Sequence, residues 1–358
     1  MAQPAPQKPE LLAATLAAMR AVAENRTGTP FEAEMVAKLG AAGVKSETAK
    51  RVVGRFDRRN EGLRRSALGP FFDSPIPERG AAAATAPADA ASTSAAGTGG
   101  GFGGRLGGGA VGRIGINSGW LDRLDELIPV DGTPPTYRIT YQGLVAEAET
   151  NWDGFSNSDE VYAITTAVHI GDDGSNTVRT EHHPVDKTAY EDVDAREERI
   201  GPVAACWDGQ NLPVSLSVVA FEHDYGDPDQ YRDEIHQAVL AAVAVLIWVY
   251  PPGAAALAAL ELLKPLITDL INYLFDTGDD QIGEAQTEVL EQARFESLGV
   301  LEPSPYIYNF TMLGTVHPIV TNLYGHFFST HRGSGAKYIF GFQVERDPAF
   351  VRQEGPFL

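Results

Sequence analysis

The sequence predicts an α+β, mainly β protein: an antiparallel β-sandwich with an inserted helical hairpin, preceded by a small helical domain and a disordered linker. Three observations lead there. From Tyr137 onward the apolar residues recur with period two, in short runs rich in aromatic and β-branched side chains. Gly- and Asp-rich turn signals ("GDDGSN", "DGQN", "RGSGA") separate those runs, with no regular alternation of helices. One segment, 231–275, breaks the period and reads as two helices around "PPG".

Taken in order, residues 1–73 form the helical domain. Leu11, Leu12, Leu16 and Met19 repeat at helical spacing. In "TPFEAEMVAKLG", Thr29 is the expected N-cap, Pro30 opens the helix and Glu32 follows in the first turn. "SETAKRVVGRFDRRNEGL" is expected to start at Ser46 as N-cap and to bury Ala49, Val52, Val53 and Phe56. Residues 74–117 are Ala, Gly, Pro and Ser, too poor in apolar surface to fold, and are read as a flexible linker. The sandwich domain takes 118–358, opening with a short capped helix at 118–129. Its strand candidates are "YRITYQGLVAEAE", "EVYAITTAVHI", "LPVSLSVVAFEHD", "YIYNFTMLG" and "AKYIFGFQVE". In the inserted hairpin, residues 238–260 hold no charged side chain, and Pro265 is expected to kink the second helix unless packing absorbs the lost hydrogen bond.

Charge is unevenly placed. The chain carries a formal net charge of −20. Residues 1–70 hold 12 Lys and Arg against 7 Asp and Glu, so the remainder carries −25. Such a body repels nucleic acid and anionic membranes unless a cation intervenes. The single cysteine, Cys206, excludes an intrachain disulfide framework and a Cys-rich zinc site. The opening stretch has no basic n-region, so a cytoplasmic protein, or one exported without a cleaved signal peptide, is expected.

Four acidic loops stand out: 149–160, 171–176, 222–229 ("EHDYGDPD") and 276–284 ("DTGDDQIGE"). Asp supplies hard oxygen ligands and Gly the tight turn, the combination that Ca²⁺ needs for its six to eight oxygens. Gathering carboxylates without a counter-ion is unfavourable. The order of the pieces then resembles a known family. "ITYQGLVAEAETNWDGFSNSDEVYAITTAVHI" resembles the opening of the calcium- and phospholipid-binding β-sandwich of the protein kinase C and synaptotagmin type, with Asp153, Gly154, Ser158, Asp159 and Tyr162 in the family's order. "VSLSVVAFEHDYGD" resembles its later strand with an acidic pair, and "DTGDDQIGEAQTEVL" the loop-to-strand passage after it. The family's Asp-Pro-Tyr is here Asp159-Glu160-Val161-Tyr162, its first paired Asp is Glu222, and the hairpin stands between that pair and Asp280. The resemblance implies Asp153, Asp159, Glu222, Asp224 and Asp280 as calcium ligands.

Three further features bear on function. The apolar hairpin, with Trp248 and Tyr250 near its tip, suits a buried helical pair, a homo-oligomer interface or a membrane-inserting element. "EMVAKLGAAGVKSETAKRVVGRFDRR" resembles a helix-turn-helix whose second helix, with Lys50, Arg51 and Arg55, would face a major groove. His182 and His183 are expected in a polar loop, and His326 and His331 on a strand and turn. No nucleophile elbow, phosphate-cradling loop or acid/base pair emerges. The reading is a non-enzymatic, calcium-responsive binding or assembly module that engages a protein partner or an anionic lipid surface. The alternatives are a membrane-perturbing, toxin-like effector acting through 236–275, and a nucleic-acid-binding regulator acting through residues 1–70.

Overall fold

A computed structural model describes residues 8–73, 136–149, 159–210, 212–223, 227–249, 256–275, 281–291, 294, 307–312, 315–320, 324–333 and 335–346. The linker at 74–117, the helix read at 118–129, and the candidate ligands Asp153, Asp224 and Asp280 lie outside the described residues.

Four helices open the chain: α1 Lys8–Glu24, α2 Pro30–Ala41, α3 Ser46–Arg58 and α4 Glu61–Leu68. The capping box on α2 is as the sequence indicated. Glu32 N–H donates to Thr29 Oγ1, and Thr29 N–H donates back to Glu32 Oε2. The start of α3 differs from expectation. Ser46 is its first helical residue and Lys45 takes the cap position without a side-chain cap. The Ser46 hydroxyl instead donates to the carbonyl of Ala23 at 2.9 Å, which ties α3 to the end of α1.

The β region has β1 Tyr137–Ala148, β2 Asp159–Ile170, β3 Asn176–His183, β4 Tyr190–Val193, β5 Glu198–Gly209 and β6 Val214–Glu222. The helical hairpin follows as α5 Pro228–Val249 and α6 Ala256–Phe275. Then come β7 Gln286–Leu290, β8 Ile307–Met312, β9 Thr315–Val320, β10 Tyr324–Gly333 and β11 Ala336–Arg346. One antiparallel sheet runs β10-β11-β1-β5. A second runs β3-β2-β6-β7 with β4 also on β2, and β8-β9 form a two-stranded ribbon.

Alternation along the strands builds two cores. Val161, Ala163, Leu216 and Val218 meet Tyr141, Leu144, Phe340 and Phe342 between the sheets. Tyr162, Ile164, Val168, Val219 and Phe221 point the other way, into a second core shared with the helices. β2 and β6 are therefore buried on both faces, which explains their near-continuous apolar sequence. Gly143 is one position where the fold requires glycine: at φ +146°, a Cβ there would stand 2.1 Å from the Arg199 carbonyl oxygen.

The helical layer has α1 at its centre. Ten of its seventeen residues are buried, on every side of the helix, as an all-round apolar sequence demands. It packs against α2, α3 and α4 on one side and against α5 and α6 on the other. α6 continues through Pro265 without a break, its buried face running from Leu260 to Leu274. Both faces of the hairpin are thus packed, one on the five-stranded sheet and one on the N-terminal helices. Among the described residues, no helix is long and apolar enough to cross a membrane.

Candidate cation site at one end of the sandwich

Two candidate ligands, Asp159 and Glu222, fall within the described residues, and the fold brings both to the same end. Asp159 is the first residue of β2 and only 3% exposed. Glu222 is the last residue of β6, paired in the ladder with Val161. The adjacent His223 N–H donates to the Glu160 carbonyl at 2.7 Å, which closes the ladder at that end.

A tyrosine from the opposite sheet reaches into this end. The Tyr338 hydroxyl, on β11, donates to Asp159 Oδ2. Burial, then the Asp159 bond and charge, then the charges of Glu222 and Glu149 push the Tyr338 hydroxyl far above its ordinary pKa. Three carboxylates, from the ends of β1, β2 and β6, therefore act on one hydroxyl. Glu149 follows β1, and its Oε2 is buried with no hydrogen-bond partner among the described residues.

The segments flanking the acidic loops gather at the same end. Glu149 and Asp159 bracket residues 150–158. His223 and Asp227 bracket 224–226. Asp227 accepts the Tyr231 N–H at 3.0 Å, and the Tyr231 ring lies 5.9 Å from that of Phe221. After α6 the chain rejoins the sheet as Gln281 bridges Phe221 and Ile282 N–H donates to Ala220 O. Asn272 Oδ1 accepts from both Gln281 Nε2 and Ala285 N–H, holding this return against α6. Gly283 makes the close approach possible: at φ +71°, a Cβ there would sit 2.4 Å from the Arg332 carbonyl oxygen.

The fourth acidic loop, 171–176, lies at the far end of β2 and has local work. Asp173 Oδ1 accepts the Ser175 N–H at 2.9 Å, and the Ser175 hydroxyl, followed by this backbone bond, holds its carboxyl below the usual range. Asp172 Oδ1 accepts the N–H of Ala256, the first residue of α6, at 3.2 Å. Among the described residues, no three His, Cys, Asp or Glu side chains stand close enough together to hold a metal. Asp159, Glu222 and Glu149 carry oxygen donors, the type a hard cation takes, and the candidate ligands Asp153, Asp224 and Asp280 lie outside the described residues.

The histidines correct the sequence reading. His182 and His183 end β3 and are buried, not placed in a polar loop, because β3 pairs with the central strand β2. The His183 ring stacks on Tyr141 at 4.3 Å, with Nε2 2.9 Å from Thr165 Oγ1 and 3.6 Å from Cys206 Sγ. Burial pushes His183 down to about 3 and the Cys206 thiol up to about 12. The pair is a neutral imidazole beside a neutral thiol, the reverse of an activated nucleophile. His331, on β10, is likewise buried, 2.7 Å from Ser329 Oγ and pushed down to about 4.

Three basic residues of α3 are engaged within the protein. Arg51 and Arg55 both bind Glu234 on α5, and Lys50 pairs with Glu47. Tyr338 and Glu149 joined the acidic end without being singled out in sequence. Glu149 was visible in the acidic stretch, whereas Tyr338 enters only through the packing of the two sheets. The chain is an α+β protein with a two-sheet antiparallel sandwich and a helical layer on one sheet. No family model matches it, and neither a curated protein nor a solved structure is significantly similar to it.

Proposed function

We propose that this protein is a non-enzymatic, calcium-responsive binding or assembly module whose acidic sandwich end takes up a hard cation and then engages a partner. The observation that supports this most is that Asp159 and Glu222 stand at the same end of the sandwich, where the Tyr338 hydroxyl donates to Asp159 and the buried Glu149 Oε2 has no hydrogen-bond partner among the described residues. Carboxylates placed together repel one another, and a bound cation relieves that repulsion. Asp159 and Glu222 stand on the ladder ends of β2 and β6, so the backbone positions of these two would-be donors are held whether or not a cation is present. Ca²⁺ would neutralise this end and let a body with a net charge of −25 outside residues 1–70 approach a protein or anionic lipid surface.

Calorimetric titration with Ca²⁺ tests the reading. Saturable binding is expected, lost when Asp153→Asn and Asp224→Asn are combined. No binding below about 1 mM, the weak end of such sites, rejects it. Unchanged binding in the double variant rejects it equally.

A further inference from the structure

Arg51 and Arg55, the side chains that made α3 look like a DNA-reading helix, are spent on a buried carboxylate. Glu234 of α5 is 0% exposed. Its Oε1 accepts from Arg51 Nε at 2.9 Å and from Gln230 Nε2 at 2.9 Å, and its Oε2 accepts from Arg55 Nε at 2.6 Å. The Arg55 guanidinium also lies 4.7 Å over the Tyr231 ring. Around this lock, Lys45 N–H donates to Gln237 Oε1, and Trp248 Nε1 donates to Glu34 while its ring meets Phe31 edge-on at 5.1 Å. Arg59 Nε donates to the Tyr273 carbonyl, and Lys8 pairs with Asp269. Apart from the Gln230–Glu234 bond within α5, each of these contacts joins residues 8–73 to α5–α6.

Such an interface has the parts of a specific protein–protein contact: an apolar centre, paired buried charge and polar bonds around it. Residues 74–135, 62 in all, connect α1–α4 to the sandwich that carries the hairpin. Extended, that length reaches about 200 Å, so connectivity does not dictate which copy's helices occupy which hairpin. The halves are also of opposite charge, with a positive N-terminal 70 residues and a negative remainder, which favours their encounter within or between chains.

We infer that the outer face of the α5–α6 hairpin is a docking platform for α1–α4 of a second copy of this chain as well as of its own, so that copies assemble by exchanging their N-terminal helices. A swapped pair keeps all the contacts of the closed chain. A tethered unit sees its own platform at an effective concentration of order millimolar, so the closed monomer prevails in dilute solution and exchange takes over on crowding or refolding at high concentration. This inference does not depend on the cation reading.

Charge reversal tests it with full-length chains. One variant carries Glu234→Lys and the other Arg51→Glu with Arg55→Glu, so neither closes on itself. A third chain carries all three changes and restores an opposite-charge pair in cis. Mixed at about 50 µM, the first two are expected to give a 1:1 particle of twice the 38.4 kDa chain mass by light scattering. Binding of an apolar-surface dye, present in each alone, should fall on mixing. The triple variant should stay monomeric with little dye bound, showing that the substitutions permit folding. Two variants that bind dye and remain monomeric when mixed, beside a folded triple variant, overturn the inference. Variants that each stay closed and dye-free also overturn it, because the lock then does not hold the interface.

Discussion

Lowering the pH from 7.5 to 5 should destabilise this protein through two histidines buried in its sandwich. His183 is held down to about 3 and His331 to about 4, in both cases because burial disfavours the imidazolium. Unfolded, each titrates near 6.5. A folded pKa below the unfolded one means that the unfolded chain takes up the proton first as pH falls. The stability is therefore intact above about 6.5 and is lost progressively below it, until the folded pKa is reached. At pH 5 each histidine accounts for a loss of ~2 kcal/mol, and the two together ~4 kcal/mol, a large share of the 5–15 kcal/mol typical of a domain. His182 and His236, also lowered by burial, act in the same direction. Urea unfolding followed by tryptophan fluorescence at pH 7.5, 6.5, 5.5 and 5 measures the slope. Loss of net negative charge over the same range changes the baseline, so the decisive quantity is the difference from His183→Gln and His331→Gln. Each variant should start less stable at pH 7.5 yet lose ~2 kcal/mol less than the parent between 7.5 and 5. Parallel slopes in parent and variants would refute the reasoning.

Other expectations follow from single contacts. Gly143→Ala places a Cβ 2.1 Å from a backbone oxygen and should lower stability by more than ~2 kcal/mol, seen as a clear drop in Tm; an unchanged Tm contradicts the close β1–β5 approach. Asp172→Ala removes the acceptor for the first N–H of α6 and should cost about 1 kcal/mol in a denaturant midpoint series, while Asp173→Ala, whose bond is confined to an exposed turn, should cost less. Glu234→Gln removes the buried carboxylate that Arg51 and Arg55 share and should destabilise by about 2 kcal/mol or more; a neutral effect in chemical unfolding would mean that the lock contributes little.

Much of the architecture was legible because strand and helix periods differ and the turns carry Gly and Asp. Strands such as β2 and β11 declared themselves through β-branched and aromatic alternation. β3 and β5 did not, since "NTVRTEHH" and "ERIGPVAACWDG" are polar or broken by Gly201 and Pro202, and pairing with β2 and β1 decides their conformation. The apolar hairpin was legible as two helices, but what covers it was not. That depends on Glu234 meeting Arg51 and Arg55 across more than 175 positions of sequence. At the acidic end, the sequence supplied Asp159 and Glu222 as members of one cluster. It separated them poorly from Asp172 and Asp173, which have the same composition but lie at the opposite end of β2. Tyr338 was silent in sequence because only the sheet-to-sheet packing aims its hydroxyl at Asp159.

The most direct measurement is terbium luminescence. Tb³⁺ takes the oxygen ligands of Ca²⁺, and a nearby phenol ring sensitises its emission. Excitation of tyrosine and tryptophan should give saturable Tb³⁺ emission that Ca²⁺ competes away. Asp159→Asn, folded by circular dichroism, should weaken it at least tenfold, and Tyr338→Phe should dim the emission without abolishing binding. Emission that never saturates, or that Asp159→Asn and Glu222→Gln leave unchanged, would contradict a cation site at this end of the sandwich.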